Sequence, residues 1–205
     1  MNKTGFDITS KRITRLEKET IKFALNLPKN SVCLDLGTGN GWLGIVLVFL
    51  HQKVYFVDKK INWKIRVLKK LFRLKNMVLI KKDIRQMDYA DFPNNISLVY
   101  SGRFLHYLKY EEAKKLLKIL NNKMDKNNNS KLFFSVSGID SELGKNYSEE
   151  YDFLSKENQK KFQIKEKVLL YSKEELQKLF EEYFETEEIW QSDFGNVFIV
   201  SSIKG

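Results

Sequence analysis

Apolar side chains along this 205-residue chain fall into two kinds of run that alternate. Short continuous runs read as strands: Val32 to Leu36, residues 54–57 ending at Asp58, and residues 77–80, 96–100 and 132–136. Between them, apolar positions recur every three or four residues, which predicts helices. Residues 10–27 carry Ile13, Leu16, Ile21, Phe23 and Leu27 at that spacing, and Pro28 ends the run. Further helices are predicted to about residue 51, over residues 60–74 and over residues 111–120. Ser172 and Glu175 form an S-x-x-E capping box that opens a helix to about Tyr183. The last two strands, near residues 186–190 and 197–202, flank the turn Asp193-Phe194-Gly195-Asn196 and predict a closing antiparallel hairpin.

Strands that alternate with helices imply a mostly parallel sheet with helices on both faces, because each crossover needs a helix to cover it. The length suits one α/β domain over residues 1–205, with residues 1–28 as a helical cover. Residues 138–170 are long, charged and weakly periodic, and are expected to form a lid inserted over the site. On such a sheet, ligands bind beyond the carboxyl ends of the strands, so chemistry is sought in the residues that follow each strand.

Composition narrows the setting. The single cysteine, Cys33, allows no internal disulfide and favours a reducing compartment. Residues 1–11 lack the apolar core of a signal peptide, and the longest apolar run, residues 42–50, is too short to span a bilayer. A cytoplasmic protein with no membrane partner is expected. The net charge of +10 is unevenly spread: residues 59–85 hold eleven Lys or Arg and one acid, Asp83. Such a stripe is either a solvated helix face or an attraction for anions.

The glycine cluster after the first strand reads Asp35-Leu36-Gly37-Thr38-Gly39-Asn40-Gly41. Glycines at alternate positions let the backbone turn sharply and approach a ligand closely. Gly39, Gly41 and Gly44 also fit G-x-G-x-x-G, so a dinucleotide site must be weighed. Two features oppose it: Asp35 would repel a pyrophosphate but suits a cationic ligand, and the closing hairpin is foreign to paired mononucleotide-binding halves. Asp58 ends the second strand, where a carboxylate can accept both ribose hydroxyls of an adenosine, and Asp83 after the third strand can accept from an adenine amino group.

With these residues in place, the chain resembles the class I S-adenosylmethionine (SAM)-dependent methyltransferase family over nearly its whole length. Residues 32–41 resemble the first motif, residues 54–58 the second, and Asp83-Ile84 the third. The resemblance implies a Rossmann-like seven-stranded sheet whose last strand is antiparallel. It also implies SAM held by Asp35, Gly37, Thr38, Gly39, Asn40, Gly41, Asp58, Lys59, Asp83 and Ile84, with Ser101 and Gly102 beyond the fourth strand. The segment Ser101-Gly102-Arg103-Phe104-Leu105-His106-Tyr107 is similar to the post-strand segment of small-molecule methyltransferases.

From that likeness, His106 is the candidate general base, since an imidazole titrates near neutral pH. Arg103 and Tyr107 are candidates to line the acceptor pocket, and Tyr100 is a further one. There is no Asn/Asp-Pro-Pro-aromatic element at residues 100–103, as base-amine methylation would use, and no compact acid cluster after the fourth strand. Metal-free transfer to a small molecule is therefore the leading expectation. An RNA methyltransferase, favoured by the basic stripe, is the second, and a SAM-binding protein without turnover the third.

Overall fold

A computed structural model describes residues 13–126, 129–147 and 152–204. Residues 1–12 of the expected helical cover, most of the Asn127-Asn128-Asn129 turn and residues 148–151 of the expected lid lie outside them. Helix α1 (Arg15–Leu25) begins at a capping box in which the Thr14 side chain accepts from Glu17 N–H and the Glu17 carboxylate accepts from Thr14 N–H. Alternating elements follow: β1 (Val32–Leu36), α2 (Trp42–Phe49), β2 (Lys53–Asp58), α3 (Trp63–Leu71), β3 (Met77–Lys81), β4 (Ile96–Gly102), α4 (Tyr110–Lys123) and β5 (Lys131–Ser137). The chain closes with α5 (Lys156–Phe162), α6 (Lys173–Glu181), β6 (Phe184–Gln191) and β7 (Asn196–Ile203).

These strands form one sheet of order β3-β2-β1-β4-β5-β7-β6. The first five are parallel, and β7 runs antiparallel between β5 and β6, as the hairpin pattern predicts. Successive strand residues face opposite sides, which splits the core in two. Cys33, Phe56, Leu98 and Phe133 pack with Leu16, Leu47 and Ile65 of α1, α2 and α3. Leu34, Val99 and Phe134 pack on the other face with Leu117 of α4 and Leu176 and Phe180 of α6. Burial pushes the Cys33 thiol up to about 12, leaving an inert core side chain.

The strand order reverses between β1 and β4: the chain winds outward from β1 through β2 to β3, then crosses back and builds in the other direction. That switch point is where a ligand crevice opens on an α/β sheet.

The described residues of the segment 138–170, labelled the cap below, hold a small core of their own, Leu154, Ile164, Val168 and Leu170, joined by Tyr107, Tyr147 and Phe162. Isolated bridges pair Gly138 with Tyr171 and Asp152 with Val168 around α5. The Asn158 amide ties α5 back by donating to Glu142 O (2.9 Å) and Leu143 O (3.2 Å). Among the described residues, no helix is long and apolar enough to cross a membrane.

Candidate functional site

Every sequence-predicted residue lies at or just past the carboxyl end of β1, β2, β3 or β4. In the order β3-β2-β1-β4, the ends carry Asp83, then Asp58, then Asp35 with the glycine loop, then Ser101 and Gly102. Neighbouring strands lie about 4.8 Å apart, so four ends span roughly 14 Å, the reach of an extended nucleoside joined to an amino acid.

The glycine loop is shaped by necessity. Gly37, Gly39 and Gly41 all have positive φ, at 65°, 54° and 70°, the left-handed region that an L side chain rarely enters. A Cβ on Gly37 would stand 2.4 Å from Cγ of Phe104, and one on Gly41 2.4 Å from Cδ1 of Ile65. Loop and sheet are sewn together by Thr38, whose hydroxyl donates to Asp35 O (2.9 Å), and by Gly37 N–H, which donates to Val57 O (2.9 Å). Asn40 accepts from Trp42 N–H (3.2 Å) and so steadies the entrance to α2.

Asp58 reaches back to this loop. Its Oδ2 accepts from Gly39 N–H (3.0 Å) and its Oδ1 from Lys60 N–H (2.8 Å). The carboxylate is half-buried at the mouth of the crevice, with lone pairs left for a ligand's hydroxyls. Lys59 turns the other way and forms an ion pair with Glu166 of the cap.

Asp35 is buried, and its carboxyl is pushed up to about 8, first by burial and then by repulsion from Asp58, against a backbone hydrogen bond from Gly44. Gly44 is what admits it: a Cβ there would lie 2.5 Å from Asp35 Oδ2 and 2.4 Å from Cε1 of Phe56. A buried carboxyl in this state ionises readily once a cation arrives to pair with it.

Asp83 departs from expectation in its present partners. It caps a short 3-10 turn (Ile84–Gln86), and both oxygens are engaged by Arg85, at 2.9 Å to Nε and 2.6 Å to Nη2. That pairing holds its carboxyl below the usual range. Ile84 packs against the core beside it.

Past β4, Ser101 is fully buried and its Oγ has no hydrogen-bond partner among the described residues. Gly102 accommodates the Tyr100 phenol, whose oxygen would be 2.7 Å from a Cβ there. Arg103 takes φ +50°, fixed by its N–H donating to Ser135 O (2.9 Å). With His106, Tyr107, Ser137, Asp140, Lys145 and Phe194 it lines a cavity of about 540 Å³ under the cap. That volume suits a small organic molecule.

The structure alters the expected chemistry of His106. The ring is buried, and burial with the nearby Arg103 charge pushes it down to about 3. It is neutral at pH 7 and a poor general base, because catalysis favours a group that titrates near the working pH. Its Nδ1 accepts from Ser137 N–H (3.4 Å), which assigns the proton of the neutral ring to Nε2.

Three contributions are not anticipated from the sequence. Glu17 of α1 is buried, and its carboxylate accepts from Trp42 Nε1 (3.1 Å) and the Tyr100 hydroxyl (3.4 Å), docking α1 against the glycine-loop helix and β4. The Thr14-x-x-Glu17 pattern carries a legible capping signal, but nothing local shows the reach to Trp42. Tyr100 accordingly faces Glu17 and Asp35 rather than lining the capped cavity. Phe194, read only as part of a turn, forms a wall of that cavity.

No model of a known protein family matches this chain, and no curated protein matches it in sequence. Solved structures do match in fold. A Pyrococcus horikoshii protein superposes with a TM-score of 0.71 at 18% identity, over 98% of this chain and 95% of that one. The 1,6-didemethyltoxoflavin-N1-methyltransferase of Burkholderia thailandensis, with its substrate and S-adenosylhomocysteine bound, gives 0.65 at 12% identity, over 93% and 79%. The N-methyltransferase NodS of Bradyrhizobium japonicum, also with S-adenosylhomocysteine, gives 0.62 at 12%, over 92% and 86%. What this likeness establishes is the fold: the chain has the Rossmann-like architecture of class I SAM-dependent methyltransferases.

Proposed function

We propose that this chain is a SAM-dependent methyltransferase acting on a small molecule. The observation that carries the proposal is the row of Asp83, Asp58 and Asp35 with its glycine loop on adjacent strand ends. It offers carboxylates in the order that adenine, ribose and a cationic amino-acid tail would need. Asp35, protonated near neutral pH by burial, gains an ionic partner when the cationic tail enters. Asp58 accepts the ribose hydroxyls with the lone pairs that Gly39 and Lys60 N–H leave free, and Ser101 Oγ offers an unused donor on the methionine side. Ile84 lines the adenine side, and Asp83 has lone pairs beyond those held by Arg85.

SAM supplies a methyl group on a positively charged sulfur. The protein's part is to hold the acceptor in line and keep water away. The capped cavity performs both, with residues 139–145, Phe162 and Ile164 along its outer wall. His106 donates from Nε2 to a lone pair of the acceptor molecule, while Arg103 and Tyr107 orient it. The 1,6-didemethyltoxoflavin-N1-methyltransferase of like fold supports a metabolite over RNA, as does the position of the cavity beyond β4, β5 and β7, far along the sheet from basic α3. A reducing, cytoplasmic setting fits the single buried thiol.

Methyl transfer from labelled SAM into metabolite, RNA and protein fractions of a cell extract tests the proposal, with Asp58→Ala as the blank. Label in the metabolite fraction is expected. Label confined to RNA would refute the acceptor class. None above the blank with SAM binding intact would point to a binding protein without turnover.

A further inference from the structure

The outer face of α3 gathers exposed large apolar side chains into one patch. Only Ile65 of this helix is buried. Trp63 is 66% exposed, Val67 48% and Leu71 70%, and these three stand at four-residue intervals along one ridge. The next residue, Phe72, is 55% exposed and meets exposed Phe49 of α2 edge-on, with ring centroids 6.4 Å apart. An exposed apolar ridge of this extent costs solubility and marks a contact surface.

Its border is basic throughout. With Val67 as the centre of the ridge, Lys64 and Lys70 project about 60° to either side at 3.6 residues per turn. Arg66, Arg73 and Lys75 extend the rim, and no acidic residue occurs from Lys59 to Lys82. We propose that this face of α3 docks the protein on an anionic lipid surface, the Trp63–Val67–Leu71 ridge entering the headgroup boundary and the flanking Lys and Arg meeting the lipid phosphates. Aromatic and aliphatic side chains on one side of a short helix, with cations on both flanks, is the arrangement of a helix lying in a membrane interface.

Other occupants fit less well. Nucleic acid is held chiefly by cations on phosphate and by stacking on aromatic rings, and Val67 and Leu71 supply neither. A second copy packed through the same face would set Lys64, Arg66 and Lys70 against themselves, which like-charge repulsion opposes. Charge and periodicity alone lead to the expectation of no membrane partner; the exposed ridge is the observation that changes it. The proposal does not depend on the methyltransferase reading, since α3 lies away from the capped cavity.

The test is co-sedimentation of the full chain with vesicles of phosphatidylcholine alone and of phosphatidylcholine mixed with phosphatidylglycerol, together with tryptophan emission. Binding to the anionic vesicles only, weakened by salt, is expected, with a blue shift that disappears in Trp63→Phe. Leu71→Asp should weaken partitioning by roughly tenfold or more, since it removes one of the inserted side chains. Lys70→Glu should weaken it as well. Both positions are exposed, so both variants should melt with the parent chain. Absence of binding, or binding unchanged by Leu71→Asp, overturns the proposal. So does an RNA oligonucleotide that displaces the protein from vesicles and depends on the same ridge.

Discussion

Replacing Asp35 by Asn should stabilise the ligand-free protein, and increasingly so as pH rises. The Asp35 carboxyl is pushed from 3.8 to about 8, chiefly because burial disfavours its charged form. A value raised in the folded state means that the fold holds a proton which the unfolded chain gives up above about pH 4. Its contribution to stability is therefore full below that pH and is lost progressively up to about pH 8. At 1.36 kcal/mol per pKa unit, the interval from pH 6 to pH 8.5 accounts for about 2–3 kcal/mol. For a chain of this length that is roughly 5–10 °C in Tm. Asn has nearly the same shape and keeps an oxygen to accept from Gly44 N–H, so the change isolates the charge. Scanning calorimetry of both proteins without ligand at pH 6 and pH 8.5 is the assay. The gap between them should widen by that amount, with the variant the more stable. Parallel pH dependence would refute the assignment of a buried, protonated Asp35. In the same experiment SAM should raise the Tm of the parent at pH 8.5 and leave the variant nearly unmoved.

Two further outcomes follow from the site. The chain has only two histidines, so nitrogen-15 NMR with His51→Gln as the assignment control reads His106 directly. It should remain neutral with its proton on Nε2 from pH 5 to pH 9, and titration near pH 6.5 would restore it as a base. Its Gln variant should keep the parent's pH profile of turnover, while His106→Ala loses activity. Gly44→Ala forces a Cβ to within 2.4 Å of the Phe56 ring and 2.5 Å of the Asp35 carboxyl. Chemical denaturation should show a loss of about 1–3 kcal/mol, and an unaltered midpoint would mean that the close approach of α2 to β1 is not needed.

The strands are the most legible part of the chain, since Val32–Leu36 and its counterparts are continuous apolar runs whose ends move by only a residue or two in the structure. The closing hairpin and the Ser172 capping box were equally plain, because turn and cap chemistry is local. What escaped depends on tertiary contact. Helix α5 sits in a cap whose core of Leu154, Ile164, Val168 and Leu170 has no period to read. The short turns at Ile84–Gln86 and Leu105–Tyr107 are single 3-10 turns, too brief for any repeat. Residue type marked His106 as a chemical group, but its basicity is set by burial and by Arg103, which no spacing reveals. Glu17 is the sharpest case: its capping role is local, while its bonds to Trp42 and Tyr100 span 25 and 83 residues.

Calorimetric titration of SAM into the parent chain and Asp58→Ala tests most directly whether the row of strand-end carboxylates holds SAM. Asp58 offers charge-assisted hydrogen bonds worth about 1.5–3 kcal/mol each, so the variant should bind SAM at least roughly tenfold more weakly while melting within a few degrees of the parent. Equal affinity in the two proteins would contradict the account at its base.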